Sequence, residues 1–260
     1  MSIVEKFRYA LGRLTCLPVR SRVPGGGIVE ATTVLPLVGL IVGFLVALVF
    51  ALSFYFGLNS FLSALIAAIA LTGLHAGRPE HGLCRFVEAL PGPGPEARLL
   101  RLRGETLGAP AVIALVAMFL LRAAALTALG APMQVFNGLI AATTLGLAMV
   151  AFATYMLPSA IGFDAATRPG ESGEVEAERD RPDPVELAWA LLIGAIVAVL
   201  ALGFGTALAA CLAAIAASLA VLALAQARLN GRTDEVLGAV QVSAEIAALL
   251  AAIAVVGAVE

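Results

Sequence analysis

Charge is scarce in this 260-residue chain: Asp, Glu, Lys and Arg together make up 13% of it, where soluble globular chains carry about a quarter. Residues 31–74 contain none of the four. A transmembrane helix needs roughly 20 mostly apolar residues, so this stretch alone holds two. Cysteine is scarce as well. Cys16, Cys84 and Cys211 are far apart and show no paired spacing, which excludes a disulfide framework or a zinc ribbon. The net charge is -2, and no basic tract is interleaved with aromatics, so a nucleic-acid partner is excluded. No Gly-Lys-Ser/Thr follows Gly92 and Gly94, which removes a phosphate-binding P-loop. Nor does a separate apolar core follow the basic start. Glu5, Lys6, Arg8 and Arg13 are spread through the first apolar stretch, so the N-terminus is expected to be retained rather than cleaved as a signal peptide.

What the chain has in abundance is apolar surface, with 61% hydrophobic residues and a mean hydropathy of +1.00. The expected fold is all-α. It is a polytopic integral membrane helical bundle, in a single domain over residues 1–260, with about seven transmembrane helices plus an N-terminal interfacial helix. Ile3, Phe7, Leu11 and Leu14 lie near a helical period with basic residues between them, the pattern of a helix lying flat at a lipid surface. Spans are expected at residues 32–56, 61–75, 109–129, 135–157, 187–202, 207–227 and 243–259. Polar loops are expected at residues 76–108, 162–186 and 228–242, where Pro, Gly and charge accumulate. The acidic stretch 164–186 reads as a solvated spacer.

Basic residues set the orientation. Five lie in the N-terminal segment, five in residues 76–108, three in 162–186, and Arg228 and Arg232 make two more. The intervening turns hold none. With seven spans these segments share one face, and the positive-inside rule makes that face cytoplasmic and Glu260 periplasmic. Integration in a bacterial-type inner (plasma) membrane is therefore expected, with the lipid bilayer as an obligatory partner. Arg122 and Glu245 fall inside spans. An ionisable group there needs a partner, whether its role is functional or structural. The spans otherwise offer few ionisable groups, which disfavours a transporter. His75, His81 and Cys84 lack a clear fourth ligand for zinc and read as solvated side chains of a loop.

Three stretches carry a family resemblance. Leu14-Thr15-Cys16-Leu17-Pro18-Val19, followed by Leu35-Pro36-Leu37-Val38-Gly39-Leu40-Ile41-Val42-Gly43, resembles the opening of cobalamin synthase, the adenosylcobinamide-GDP ribazoletransferase family. Asn230-Gly231-Arg232-Thr233-Asp234-Glu235-Val236-Leu237-Gly238-Ala239, with Glu245-Ile246 beyond it, resembles the family's late Gly-Gly-x-Thr-Gly-Asp-x-x-Gly-Ala motif. Glu80-His81-Gly82-Leu83-Cys84-Arg85-Phe86-Val87-Glu88-Ala89-Leu90 falls where the family has His-x-Asp-Gly-Leu-Ala-Asp-x-x-Asp-Gly. Here His81 and Arg85 stand at the first two acidic positions, and Glu88 retains the third carboxylate. Of a further basic segment, Arg103 and Leu107-Gly108 persist.

The resemblance implies a magnesium-assisted transferase of phosphate-linked groups. It would join adenosylcobinamide-GDP to alpha-ribazole or its 5'-phosphate and release GMP in cobalamin biosynthesis, with the corrinoid and the ribazole as small-molecule partners. Carboxylates at i, i+4 and i+7 share a helical face and can hold a hard divalent cation against a diphosphate. By resemblance the expected metal ligands are Glu80, Glu88 and Glu235, with Mg2+ as cofactor. The expected catalytic residues are Glu88, Glu235 and Arg103, and the expected substrate-binding residues are Arg232, Thr233 and Asp234. The alternative is a relative that has lost catalysis and serves as a membrane binding or assembly protein.

Overall fold

The computed structural model describes residues 2–19, 28–102, 104, 106–158 and 181–256. Residues 20–27, Arg103, residues 164–180 of the acidic stretch and Glu260 lie outside them. Ten α-helices and one short 3-10 helix make up the described elements, so the all-helical expectation holds. Among the described residues, six helices are long and apolar enough to cross a membrane, and seven if one sharply bent pair counts as a span.

Helix α1, Ile3–Leu14, opens with a capping box. Ser2 Oγ accepts from the Glu5 amide, and the Glu5 carboxylate accepts from the Ser2 amide, which satisfies amides that the helix itself leaves unpaired. Its apolar face packs Phe7, Leu11 and Leu14 against the core, with Ala10 buried. Lys6 reaches Glu186 in an ion pair, and the Cys16 amide donates to the Leu74 carbonyl at 2.8 Å. Together these contacts fasten α1 and the segment behind it across the bundle.

The 3-10 helix Ile28–Val34 leads into α2, Leu35–Tyr55, with Pro36 in the first turn, where a missing amide costs nothing. α2 packs along α7, Pro132–Met156. Gly39 and Gly43 put a small residue at the contact every four positions, as close helix pairs in membranes do. A β-carbon on Gly39 would lie 2.4 Å from the Thr143 carbonyl oxygen, and Thr143 Oγ1 donates to the Gly39 carbonyl at 2.8 Å. Bulk at either glycine would force the two backbones apart.

The segment 76–108 is not the loop its Pro and Gly content predicts. α3, Ser60–Leu74, has only 15 residues, about 22 Å at the helical rise against a hydrocarbon core of roughly 30 Å. It turns through 87° into α4, Arg78–Ala89, and α5, Pro95–Leu102, follows. Pro79 is accepted because it lies in the first turn of α4. The corner is made by Gly77 at φ +66°, a left-handed conformation that costs glycine nothing. α6, Ala109–Ala128, then crosses back to α7.

α8, Pro184–Leu202, and α9, Phe204–Leu229, form the next hairpin. Residues 230–233 are all that remains of the loop expected at 228–242, because α10 runs over Asp234–Val256 and takes the late motif into its first turns. α7 and α10 are the central helices: α7 packs on α2, α8, α9 and α10, while α10 packs on α4, α6, α7 and α9. The extension of α10 presses its first turns against α4. A β-carbon on Gly238 would sit 2.9 Å from the Pro79 carbonyl oxygen, and one on Gly82 would sit 2.9 Å from that of Glu235.

Candidate active site

The crossing of α4 and α10 forms one wall of a cavity of about 770 Å³, a size typical of small-molecule sites. α1 supplies Tyr9, Gly12, Arg13 and Leu14, and α4 supplies Arg78 and Pro79. Val150 of α7 and Asp234, Leu237, Gly238 and Gln241 of α10 complete most of the lining. The late motif thus meets Leu14 and Val19 of the opening stretch at one place. α1, although close to 220 residues away from α10 in sequence, closes the side of the cavity; its Arg13 faces Asp234 at 3.4 Å.

Below the cavity lies a buried ionic network. Gln241, which lines the cavity, donates to Glu245 Oε1 at 2.9 Å. Glu245 Oε2 accepts from Arg122 at 2.9 Å, and Arg122 also donates to Glu80 Oε1 at 3.1 Å. Thr72 Oγ1 donates to that same Glu80 oxygen at 2.9 Å, and Gln241 Nε2 lies 3.5 Å from His75 Nδ1. Arg122 and Glu245 are each 1% exposed. One guanidinium therefore holds two carboxylates from different helices, which answers the need for partners that both residues showed in the sequence.

The expected site residues separate into groups. Glu80 belongs to the buried network through Oε1, which accepts from Arg122 and Thr72, while its Oε2 is buried and unpartnered among the described residues. Glu88, on the far end of α4, accepts from the Gly108 amide at 3.0 Å and so fastens the start of α6. Glu235 is half-buried on the side of α10 toward α4, with Oε2 buried and unpartnered among the described residues. Asp234 lines the cavity. Thr233 caps α10, its hydroxyl accepting from the Val236 amide at 3.5 Å. Arg232 is buried and donates to the carbonyls of Thr154 at 3.2 Å and Leu157 at 2.8 Å, tying down the end of α7. Arg103 lies outside the described residues.

These carboxylates do not fit a resident divalent cation. A metal site needs several oxygen ligands aimed at one point, yet Glu80 Oε1 and Glu88 are bonded to different protein donors, and the unpartnered Glu80 Oε2 and Glu235 Oε2 are on different helices. Among the described residues no group of three or more His, Cys, Asp or Glu side chains is placed to hold a metal ion. His81 and Arg85, at the two substituted acidic positions, instead bond to each other. Arg85 Nε donates to His81 Nε2 at 3.3 Å and its Nη1 donates to the Thr106 carbonyl at 2.9 Å. Cys84 turns away toward the Ala111 carbonyl.

Arg13, Tyr9, Arg78 and Gln241 were not singled out from the sequence as site residues. The signal available for the first two was the basic, amphipathic pattern of residues 3–15, which located an interfacial helix but not what it covers. The sequence model of the family described as Cobalamin-5-phosphate synthase matches residues 6–253. An adenosylcobinamide-GDP ribazoletransferase of Bradyrhizobium diazoefficiens is 34% identical over 257 residues, covering 97% of this chain and 95% of that protein. Proteins of the same name from Rhizobium etli and Mesorhizobium japonicum are 30% and 32% identical, covering 93% and 91% of this chain and 92% and 90% of their own lengths. No solved structure gives a significant match.

Proposed function

Because this chain belongs to the cobalamin-5-phosphate synthase family, we propose from its geometry how it acts as an adenosylcobinamide-GDP ribazoletransferase. The reaction joins adenosylcobinamide-GDP to alpha-ribazole or its 5'-phosphate and releases GMP. A ribazole hydroxyl oxygen forms a bond to the corrinoid-linked phosphorus, the P–O bond of the anhydride breaks, and GMP leaves with that bond's electron pair. The hydroxyl proton must pass to a base.

The observation that carries this reading is the convergence of α1, α4 and the late motif of α10 on one cavity. Asp234 is the carboxylate among the residues lining it, and we assign it as acceptor of the hydroxyl proton. Arg78 and Arg13 face the same space and supply positive charge where phosphoryl transfer develops negative charge. Gln241 orients the floor through its bond to Glu245. Among the described residues no three His, Cys, Asp or Glu side chains are placed to hold a metal ion, so the developing charge is met by Arg78 and Arg13. The charge bias of the loops supports placing this face toward the cytoplasm of a bacterial-type inner membrane.

The test is GMP release by the purified chain in lipid, given adenosylcobinamide-GDP, alpha-ribazole and magnesium. Asp234→Asn should lower the rate by about 100-fold or more, the scale of a lost general base. No release from the unaltered chain, beside an active relative, would make it a noncatalytic member of the family acting as a binding or assembly protein. Repeating the assay with a chelator present measures any magnesium requirement directly.

A further inference from the structure

We propose that the diphosphate of the nucleotide substrate is bound by the guanidinium groups of Arg78 and Arg13, with Arg13 giving up Asp234 for the incoming phosphate. The proposal rests on the reading of the cavity as the transferase site, and it names what replaces the missing acidic signature there.

The side chain of Arg78 is exposed at the cavity and has no hydrogen-bond or ion-pair partner among the described residues. It opens α4, whose first turn, like that of α10, borders the same space. Two guanidiniums beside one cavity favour an anion of high charge. Arginine matches phosphate oxygens with paired N–H donors. Asp234 is already an anion in this position, held by Arg13 at 3.4 Å with the two side chains 76% and 49% exposed. An ion pair so open to solvent contributes little to stability, and a phosphate carrying more charge displaces it at small cost. Displacement also frees Asp234 to act on the hydroxyl.

The alternative way to neutralise a diphosphate is a protein-held divalent cation, but among the described residues no three His, Cys, Asp or Glu side chains are placed to hold one. Glu80 Oε1 is engaged by Arg122 and Thr72 and Glu88 by Gly108, and the unpartnered Glu80 Oε2 and Glu235 Oε2 belong to different helices. At the substituted positions Arg85 faces the Thr106 carbonyl rather than the cavity. Recognition by protein guanidiniums therefore predicts binding that does not depend on metal.

The experiment is calorimetric titration of the full chain in lipid nanodiscs with adenosylcobinamide-GDP in EDTA buffer. Binding should persist without metal, weaken about tenfold in Arg78→Gln and in Arg13→Gln, and be largely kept in Arg78→Lys. Asp234→Asn should bind several-fold more tightly, because it removes the competing internal anion, while losing GMP release. That rise in affinity is what a merely structural Asp234 would not give. The proposal is overturned if binding is absent in EDTA and restored by magnesium, or if Asp234→Asn weakens binding while Arg78→Gln leaves it unchanged. GMP release assayed on the same preparations separates the two readings. Release with arginine-independent binding sinks this proposal alone, while arginine-dependent binding without release sinks the transferase.

Discussion

At the scale of single residues, Arg122 shows how an expensive group is retained. Burying three charges in an apolar bundle is costly, and it is sustained only while each has its counterpart. Arg122→Leu leaves Glu80 and Glu245 buried without a cation, and should destabilise the protein by about 3–5 kcal/mol, read as a fall in thermal unfolding temperature in lipid. Neutralising all three together, with Glu80→Gln, Arg122→Met and Glu245→Gln, should recover most of that loss. Failure of the triple variant to recover would mean that the charges serve something besides each other. Arg232 makes a contrasting case. Its side chain donates to two backbone carbonyls at the end of α7, so Arg232→Ala should cost about 1.5–3 kcal/mol of stability, the range for hydrogen bonds from a charged donor. A change in substrate affinity without loss of stability would instead restore the substrate-binding role that the family motif implied.

Helices meet at the site because small residues let them. Gly82 and Gly238 face each other where α4 crosses α10, and each β-carbon would strike backbone rather than a movable side chain. Gly82→Val or Gly238→Val should therefore separate the helices, costing about 1–3 kcal/mol by overpacking and abolishing GMP release. Gly73→Ala faces open space and should change neither, which makes it the control. At α1 the relevant quantity is pH. Hydrogen bonds from the Ser2 amide and then its hydroxyl hold the Glu5 carboxyl below its ordinary 4.5. A carboxyl whose folded pKa is depressed stabilises above its unfolded value and loses that contribution as the pH falls through the folded one. A nitroxide placed at the exposed Val4 should thus become more mobile as the pH drops below 4.5, and Glu5→Gln should remove the pH dependence.

For the whole molecule, the alternation of basic and uncharged connections predicts that turns around residues 57–59 and 130–131 face away from the cytoplasm. A single cysteine placed there, in a chain otherwise freed of thiols, should react with an impermeant maleimide from outside intact cells, while a chain that keeps Cys16 alone should not; the reverse pattern would invert the topology. The helical bundle and most of its spans were legible because lipid imposes a length and a polarity that composition alone reveals. The α4 and α5 segments were not, since Pro79, Gly92 and Gly94 are local breaking signals, and only packing of α4 on α6 and α10, and of α5 on α4 and α9, makes the broken stretch helical. Nor was the start of α10 legible. Asp234 and Glu235 read as loop residues, but a polar first turn is what a helix N-terminus at a membrane face favours. The sequence by itself determined a membrane protein, the family-like motifs, and which two spans carried an ionisable group. Tertiary structure alone decided that Arg122 joins Glu80 to Glu245, that Arg232 serves backbone carbonyls, and that Arg13 of α1 closes the cavity beside Asp234. Periodicity is a property of neighbours along the chain, whereas which charge meets which is fixed by helices distant in sequence coming to the same depth in the bundle.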